Sequence, residues 1–359
     1  MMFPRSAALA ALLFASSLPG SLAAAATTPF DIQLPTANNN LFTGHPERFY
    51  MYVDRNFEGK RSKPWQGGGY GFIRSPVRTK GKVVYTRFHE GIDISPVKRD
   101  RAGNALDTVK SIGKGTVVYA NPVSGRSNYG KYVVVEHRFP GGPFYSLYAH
   151  LAAVSCKRGD PVRAGSALGR MGCTGVGLNR TRSHVHLEFC MMLSSHFDAW
   201  HKTYAGATNY HGNHNGMNLA GMDIAKLFLL HRRNPSVSVP DFIRSTPIHF
   251  SVTVPRRGVP DILRLYPWLL RGDARTSSPS WEISFSNTGL PLLATPSQRK
   301  VAKPVLTRLR RSDISYSLET RGLLSGSGDH AALSRRGEKL LALITGDFPY
   351  KNRSTARAR

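Results

Sequence analysis

Two histidines stand two residues apart in Ser183-His184-Val185-His186-Leu187-Glu188-Phe189. In a β-strand, residues i and i+2 share a face, so both imidazoles reach one surface while Val185 and Leu187 enter the opposite layer. Such a pair either binds a metal or divides the work, one imidazole binding and the other moving protons. His-x-His alone is common, and its meaning depends on partners elsewhere. One partner is His89-x-x-x-Asp93. In extended chain i and i+4 share a face, and Gly91 leaves the middle of that face bare for a metal to approach. His and Asp with a third His make an N,N,O donor set suited to zinc, with the fourth position left to water. A further candidate is His150, at the end of Tyr148-Ala149-His150-Leu151; taken singly it reads as a packed or exposed histidine.

The stretches around these residues must hold them. Val83 to Phe88 is rich in β-formers and runs into His89. Short β-type runs follow at Thr108 to Ile112, Gly115 to Ala120, Tyr132 to His137 and Phe144 to His150. Asn128-Tyr129-Gly130, Pro140-Gly141-Gly142, Gly165 to Gly169 and Gly172-Cys173-Thr174-Gly175 punctuate them as turns. Many short strands with Gly turns and little helical periodicity predict a mainly β protein with an antiparallel core, closed by the strand from His184 to Met191. The His-rich stretch 196–214 breaks this pattern and reads as a solvated loop. Leu219 to Leu230 has helical spacing, with Asn218 as a candidate N-cap.

Composition bounds the setting. Residues 1–26 have a short positive start at Arg5, an apolar run from Ala7 to Ser16 and small-residue cleavage sites, the pattern of a secretory signal peptide. No later stretch is long and apolar enough to span a bilayer, so no transmembrane span is expected after signal cleavage. The expected location is therefore outside the cytoplasm: periplasm, cell envelope or beyond. The formal net charge is +27. An exported protein of that charge is drawn to anionic envelope polymers, and no recognition-helix or RNA-binding signature supports a specific nucleic-acid partner. Cys156, Cys173 and Cys190 form no CxxC pair, which excludes a cysteine-based zinc site; two of them can form a disulfide in an oxidising compartment, the pairing being open.

Residues 27–68 are Asn-, Pro- and Gly-rich and read as a loosely ordered lead-in that packs onto the domain. Residues 241–359 carry 20 Lys/Arg against 9 Asp/Glu with weak patterning. Phe250 to Val254 and Trp281 to Phe285 alternate like strands, and Leu333 to Leu343 has the pattern of a helix. The whole is a poorly defined basic C-terminal region of unknown role, with Lys351 to Arg359 expected to be disordered.

Taken in order, the chain has His-x3-Asp, a Val-rich β region, Tyr-Ala-His-Leu, Gly-Asp-x-Val, Gly-x-Thr-Gly and His-x-His-Leu-Glu. Here it resembles the LytM/lysostaphin-type zinc metallo-endopeptidases of peptidoglycan, peptidase family M23. The resemblance covers about residues 69–192, with Leu219 to Leu230 as a family-like tail, and places an M23 zinc peptidase domain at 69–232. It implies the family's antiparallel, duplicated hybrid motif-like β core with a short helix. It also implies one Zn2+ per chain on His89, Asp93 and His186, with His150 and His184 as catalytic residues beside the zinc-bound water that acts as nucleophile. The implied substrate is a peptide bond in the stem or cross-bridge of peptidoglycan. Glu188 either orients a ligand imidazole or makes a surface salt bridge. The link Val176 to Ser183 is longer than the family's and carries Arg180 and Arg182, a departure that concerns one groove wall. The alternative reading is a non-catalytic M23-like wall-binding or amidase-activating module; the intact five-residue set argues against it. A third reading makes 241–359 a polymer-binding region in its own right.

Overall fold

The computed structural model describes residues 29–349. The proposed signal peptide at 1–26 and the last residues from 350 lie outside them. Eleven strands matter for the site. Gly71–Thr79 (β1) and Lys82–His89 (β2) form a hairpin. Ile92–Ile94 (β3), Thr108–Lys110 (β4), Gly115–Asn121 (β5), Lys131–Phe139 (β6), Gly142–Val154 (β7), Pro161–Val162 (β8), Ala167–Met171 (β9), Val185–Met192 (β10) and Leu219–Met222 (β11) make one antiparallel sheet. Its path is β8-β5-β6-β7-β9-β4, and β10 pairs with β7, β3 and β11. The antiparallel β core expected from the sequence is the observed one.

The long strand β7 organises this sheet. One edge pairs with β6 along most of its length. The other edge changes partner: Phe144 to Ala149 face β10, and Leu151 to Val154 face β9. His150 is the residue at the changeover, and its φ is 63°. Such a left-handed backbone is disfavoured for a residue with a Cβ and is typical of functional sites.

Both faces of β10 are covered, which is why every residue of it is buried. Val185, Leu187, Phe189 and Met191 enter the main core beside Ile92, Ile94, Phe144 and Tyr148. On the other face Cys190 and Met192 join a smaller cluster with Tyr132, Val134, Leu147 and Leu219. His184, His186 and Glu188 share that second face, ahead of the apolar plug.

Three stretches differ from the sequence reading. Residues 29–68 pack onto the domain as expected, but through regular backbone hydrogen bonds rather than loosely. Met51 N–H donates to Asp93 O (2.8 Å) and Ser95 N–H to Phe49 O (2.9 Å). The Asn-rich composition serves Asx-type turns: Asn38 Oδ1 accepts from the backbone N–H of Asn40, and its amide donates to Arg48 O and Ser95 O. Leu219 to Leu230 is not one helix. It divides into β11 and a helix, Ile224–Arg233, capped by Asp223 instead of Asn218. The His-rich insertion is not a solvated loop. Phe197–Tyr204 (α1) is a helix whose Phe197, Trp200 and His201 are buried, and His211 is held by Tyr119 Oη at 2.7 Å.

The C-terminal region, weakly patterned in the sequence, forms a second antiparallel sheet of Phe250–Pro255 (β12), Ser280–Phe285 (β13), Pro291–Ser297 (β14) and Val305–Leu309 (β15), in the order β14-β13-β12-β15. A helix, Arg335–Thr345 (α2), follows. Its core is continuous with that of the first sheet. Tyr266 clamps the two: its Oη donates to Pro143 O (2.7 Å) and accepts from Met192 N–H (2.8 Å). The Trp200 indole N–H donates to Lys339 O of α2 (2.9 Å). All three cysteines are free, so the disulfide left open by the sequence is absent.

His137 on β6 has no part in the site but links stability to pH. It is fully buried, with Nδ1 donating to Lys114 O at 2.9 Å and Nε2 2.7 Å from Ser146 Oγ. Burial pushes its pKa down to about 4. Between pH 6.5 and 4 the unfolded chain takes up a proton that the folded chain refuses, so stability falls as pH drops through that window. The full loss is about 3 kcal/mol. Denaturant unfolding at pH 7 and pH 4.5 checks this: His137→Gln is expected to lose less stability over that interval than the wild type, and an equal loss rules the coupling out.

Candidate metal centre

Strand pairing brings the distant residues together. In the register of β10 with β3, His186 lies opposite Asp93. His89 ends β2, and the chain bends at Glu90 and Gly91 before β3. The extended i, i+4 geometry expected from the sequence is therefore replaced by a turn, which still converges the two side chains. Gly91 has a different reason from the one expected. A Cβ there would sit on the Leu187 carbonyl oxygen and 2.8 Å from Glu188 Cγ, so its bareness lets β10 pass, not a metal.

Three atoms form a compact triangle. Asp93 Oδ1 is 2.9 Å from His186 Nδ1 and 3.2 Å from His89 Nε2, and the two nitrogens are 3.0 Å apart. His89, Asp93 and His186 are the group that could hold a metal ion among the described residues. Tetrahedral zinc with bonds of about 2.0–2.1 Å places its ligand atoms about 3.3 Å apart, so the triangle fits such an ion. The donor chemistry fits as well. His89 Nδ1 donates to Gly69 O at 2.5 Å, which leaves the Nε2 lone pair facing the triangle. His186 Nε2 is 2.8 Å from Glu188 Oε1, which leaves Nδ1 for the ion.

Glu188 is thus buried behind the ligand His186, which decides between the two roles left open for it. Its Oε1 also accepts from Tyr129 Oη at 2.7 Å, and Cys190 Sγ lies 3.4 Å from Oε2. Burial disfavours a charge on His186, yet hydrogen bonds to Asp93 and Glu188 outweigh it and push its pKa up to about 10. Burial would raise the carboxyls; His186 holds Glu188 below its usual range, and His89, His184 and Arg74 hold Asp93 well below. His186 thus lies between two carboxylates as a proton-bearing imidazole, and a metal held at Nδ1 would take that proton's place.

His150 and His184 flank the triangle. Their ring centroids are 4.9 Å apart, and the His150 ring is 5.8 Å from that of His186. His150 Nδ1 donates to Thr174 O at 2.8 Å. Gly175 permits that approach: its φ is 107°, and a Cβ would meet His150 Nδ1 at 3.0 Å. Burial, then the nearby His184 and His186, lower the His150 pKa well below its ordinary value. This imidazole is neutral, with its lone pair on Nε2. His184 Nδ1 donates to Arg182 O at 2.6 Å, and its Nε2 is 3.4 Å from Asp93 Oδ1.

Two residues were missed. Arg74 sits where β1 bulges against β2, between Phe72 and the left-handed Ser75. Its Nη2 donates to Asp93 Oδ2 and lies 3.2 Å from His89 Nε2, while Nε donates to Gly67 O at 2.8 Å. An ion in the triangle displaces Arg74 from the His89 lone pair; Asp93 Oδ2 is a separate oxygen for which they do not compete. Tyr129 is the other, and burial with the neighbouring Glu188 keeps its hydroxyl protonated as a donor. Its Asn-Tyr-Gly context signalled only a turn.

Residues 87–199 match the family model of peptidase family M23. Over this stretch the chain is similar to the M23 peptidases. A protein of Neisseria meningitidis serogroup B, whose name describes it as uncharacterised, is 35% identical over 129 residues, which is 33% of this chain and 20% of that protein. A lipoprotein NlpD/LppB homolog of Pseudomonas aeruginosa is 31% identical over 100 residues, 28% of this chain and 29% of that protein. The chain therefore spans less than a third of the length of either relative. Among solved structures, the catalytic domain of the antimicrobial peptidase lysostaphin from Staphylococcus simulans is 27% identical, covering 34% of this chain and 77% of that one, with a TM-score of 0.24. The M23 match contains His89, Asp93, His150, His184 and His186. Arg74 lies outside it, as do the C-terminal sheet and α2.

Replacing the buried carboxylate isolates its effect on the candidate metal site. Glu188→Gln keeps the volume and an acceptor for Nε2 but removes the charge. Zinc affinity, measured by competition with a chelator, is expected to fall about 10–100-fold with the fold intact. Unchanged affinity would mean that Glu188 only packs against His186.

Proposed function

We propose that the chain is a zinc-dependent endopeptidase that hydrolyses a peptide bond in the stem or cross-bridge of peptidoglycan. The observation that carries this reading is the His89–Asp93–His186 triangle with two further imidazoles beside it, inside the M23 match. His89 Nε2, Asp93 Oδ1 and His186 Nδ1 hold the ion in this reading. When bound, zinc acidifies a water and polarises the scissile carbonyl.

The side chains supply the rest. His150 Nε2, neutral and unhindered by its Nδ1–Thr174 hydrogen bond, accepts the proton of the attacking water and returns it to the leaving amine. His184, whose Nδ1 donates to Arg182 O, serves in its doubly protonated form as the Nε2 donor to the carbonyl oxygen as charge develops there. Glu188 and Tyr129 hold His186 in position. The substrate lies in a cleft of about 1580 Å³ that contains all five residues and is walled on one side by Arg74, Pro76 and Arg87. A strongly cationic protein working on an anionic wall would dwell in the envelope, which is the proposed location. No helix among the described residues is long and apolar enough to cross a membrane.

Purified sacculi test the proposal. His186→Ala is expected to lose bound zinc and the turbidity decrease together. His150→Ala is expected to retain zinc while the rate falls by about 10²–10⁴-fold. Mass analysis of the released fragments, with and without a chelator, identifies the bond. Full activity of His186→Ala, or release that a chelator does not slow, would sink the assignment.

A further inference from the structure

The cleft that holds the metal site continues to a cationic end built by the C-terminal region. Arg321, Arg335, Arg336 and Lys339 line the same cavity as His89 and His186. None of the four lies within the M23 match. Arg321 is fixed in place: its guanidinium lies 4.6 Å over the Phe88 ring, and Nη2 is 3.8 Å from Glu90 Oε1. Phe88 and Glu90 are the neighbours of His89 in the chain, so the cation and the metal ligand share one short support. Lys339 is held by Tyr204 O at 3.1 Å.

Three placements here run against local stability. Arg321 has φ 57°, a left-handed backbone for a residue with a long side chain. Arg335 and Arg336 are the first two residues of α2, where the helix dipole repels cations. Arg336, although solvent-exposed, lies close enough to Arg321 for partial desolvation and then that neighbouring charge to lower its proton affinity, against a smaller opposing pull from Glu90. Glu90 is the one carboxylate paired with this group, through Arg321; Arg335 and Arg336 have no carboxylate within ion-pair distance among the described residues. Cations gathered at such cost, with too few counter-charges, await an anion.

We propose that Arg321 and Arg336 form a subsite for a carboxylate of the peptide substrate, on one side of the bond to be cleaved. This rests on the peptidase reading above. A guanidinium fork takes a carboxylate through two parallel hydrogen bonds, and the continuity with the metal site makes the anion part of the molecule being cut. Stem peptides carry such groups. An anionic wall polymer is the competing ligand, and it would have no reason to share the cleft with the reacting bond.

The test uses the zinc-loaded full chain and cross-linked stem peptides released from sacculi, with their carboxyl groups either free or converted to amides. Amidation is expected to raise KM about tenfold or more with kcat little changed. The Arg321→Gln/Arg336→Gln double variant should raise KM for the free-carboxylate peptide to a similar degree and stop distinguishing the two peptides, with zinc content unaltered. Arg336→Lys, which keeps the charge, should recover part of the affinity, and this separates charge from misfolding. Equal KM for both peptides, or a double variant that still discriminates, overturns the subsite. Loss of polyphosphate binding in the double variant, with peptide KM unchanged, overturns it too and assigns the cations to a polyanion. The wild type may be titrated with the same peptides by calorimetry. Carboxylate-dependent binding that the double variant loses, without any cleavage, would support the subsite and refute the peptidase reading; cleavage without carboxylate preference refutes the subsite alone.

Discussion

The cleft is arranged around one buried carboxylate. Asp93 Oδ1 lies 2.9, 3.2 and 3.4 Å from nitrogens of His186, His89 and His184. A carboxylate taken out of water costs several kcal/mol unless charge and hydrogen bonds compensate. Here the compensation comes from three imidazoles and Arg74, delivered by three segments: Arg74 from β1, His89 from β2, and His184 with His186 from the β10 stretch. The backbone of Asp93 is itself held, between Met51 N–H on one side and β10 on the other. Losing one supplier leaves a buried charge exposed to the full desolvation penalty. The position therefore couples the lead-in, the β1–β2 hairpin and the central sheet into one structural unit.

Register transmits that requirement to the rest of the sheet. Side chains alternate along β10, so a slip of one residue would bring Val185 and Leu187 to the cleft and drive His184, His186 and Glu188 into the apolar core. The core residues Phe189 and Met191 resist the slip on one face, and Cys190 and Met192 resist it on the other. Packing thus selects the one alignment in which His186 faces Asp93. The same logic explains His150. An ordinary strand residue there would point its side chain along the alternation of β7. The left-handed backbone at the partner change turns the imidazole toward His184 instead.

Much of this was legible in the sequence. The two histidines of the His-x-His strand, the His89–Asp93 pair and the Gly-punctuated β runs carry local signals: period-two alternation and turn residues. What the sequence hid has a common cause. Arg74 approaches Asp93 through a bulge, and Tyr129 reaches Glu188 across 59 positions, contacts that no local pattern encodes. Two strands of the C-terminal sheet were legible in the alternation of Phe250 to Val254 and Trp281 to Phe285, but their assembly into one sheet rests on pairings between distant segments that no local pattern encodes. The insertion 196–214 misled through composition. Its histidines suggested solvent, while Phe197 and Trp200, spaced for one helix face, were the residues that decided its placement.

The net charge takes on a sharper meaning once the fold is known. Spread evenly, +27 would only make the chain adhesive to polyanions. The structure instead puts selected cations where they are least comfortable: Arg74 against the metal ligands, and Arg321 and Arg336 against each other. Surface charge of this magnitude is screened within about 8–10 Å at physiological salt, whereas cations inside a partly enclosed cleft are screened far less. A long-range field acts on any polyanion, whereas cations fixed in the cleft can orient a ligand; under the proposed function that ligand is a peptide set against His150 and His184. The C-terminal region shares its hydrophobic core with the M23-matching region and is fastened to it through Tyr266 and Trp200. A packed junction of this kind is what the proposed positioning role demands, because a charge on a loose tail could attract a ligand but could not hold it in register with the candidate metal site.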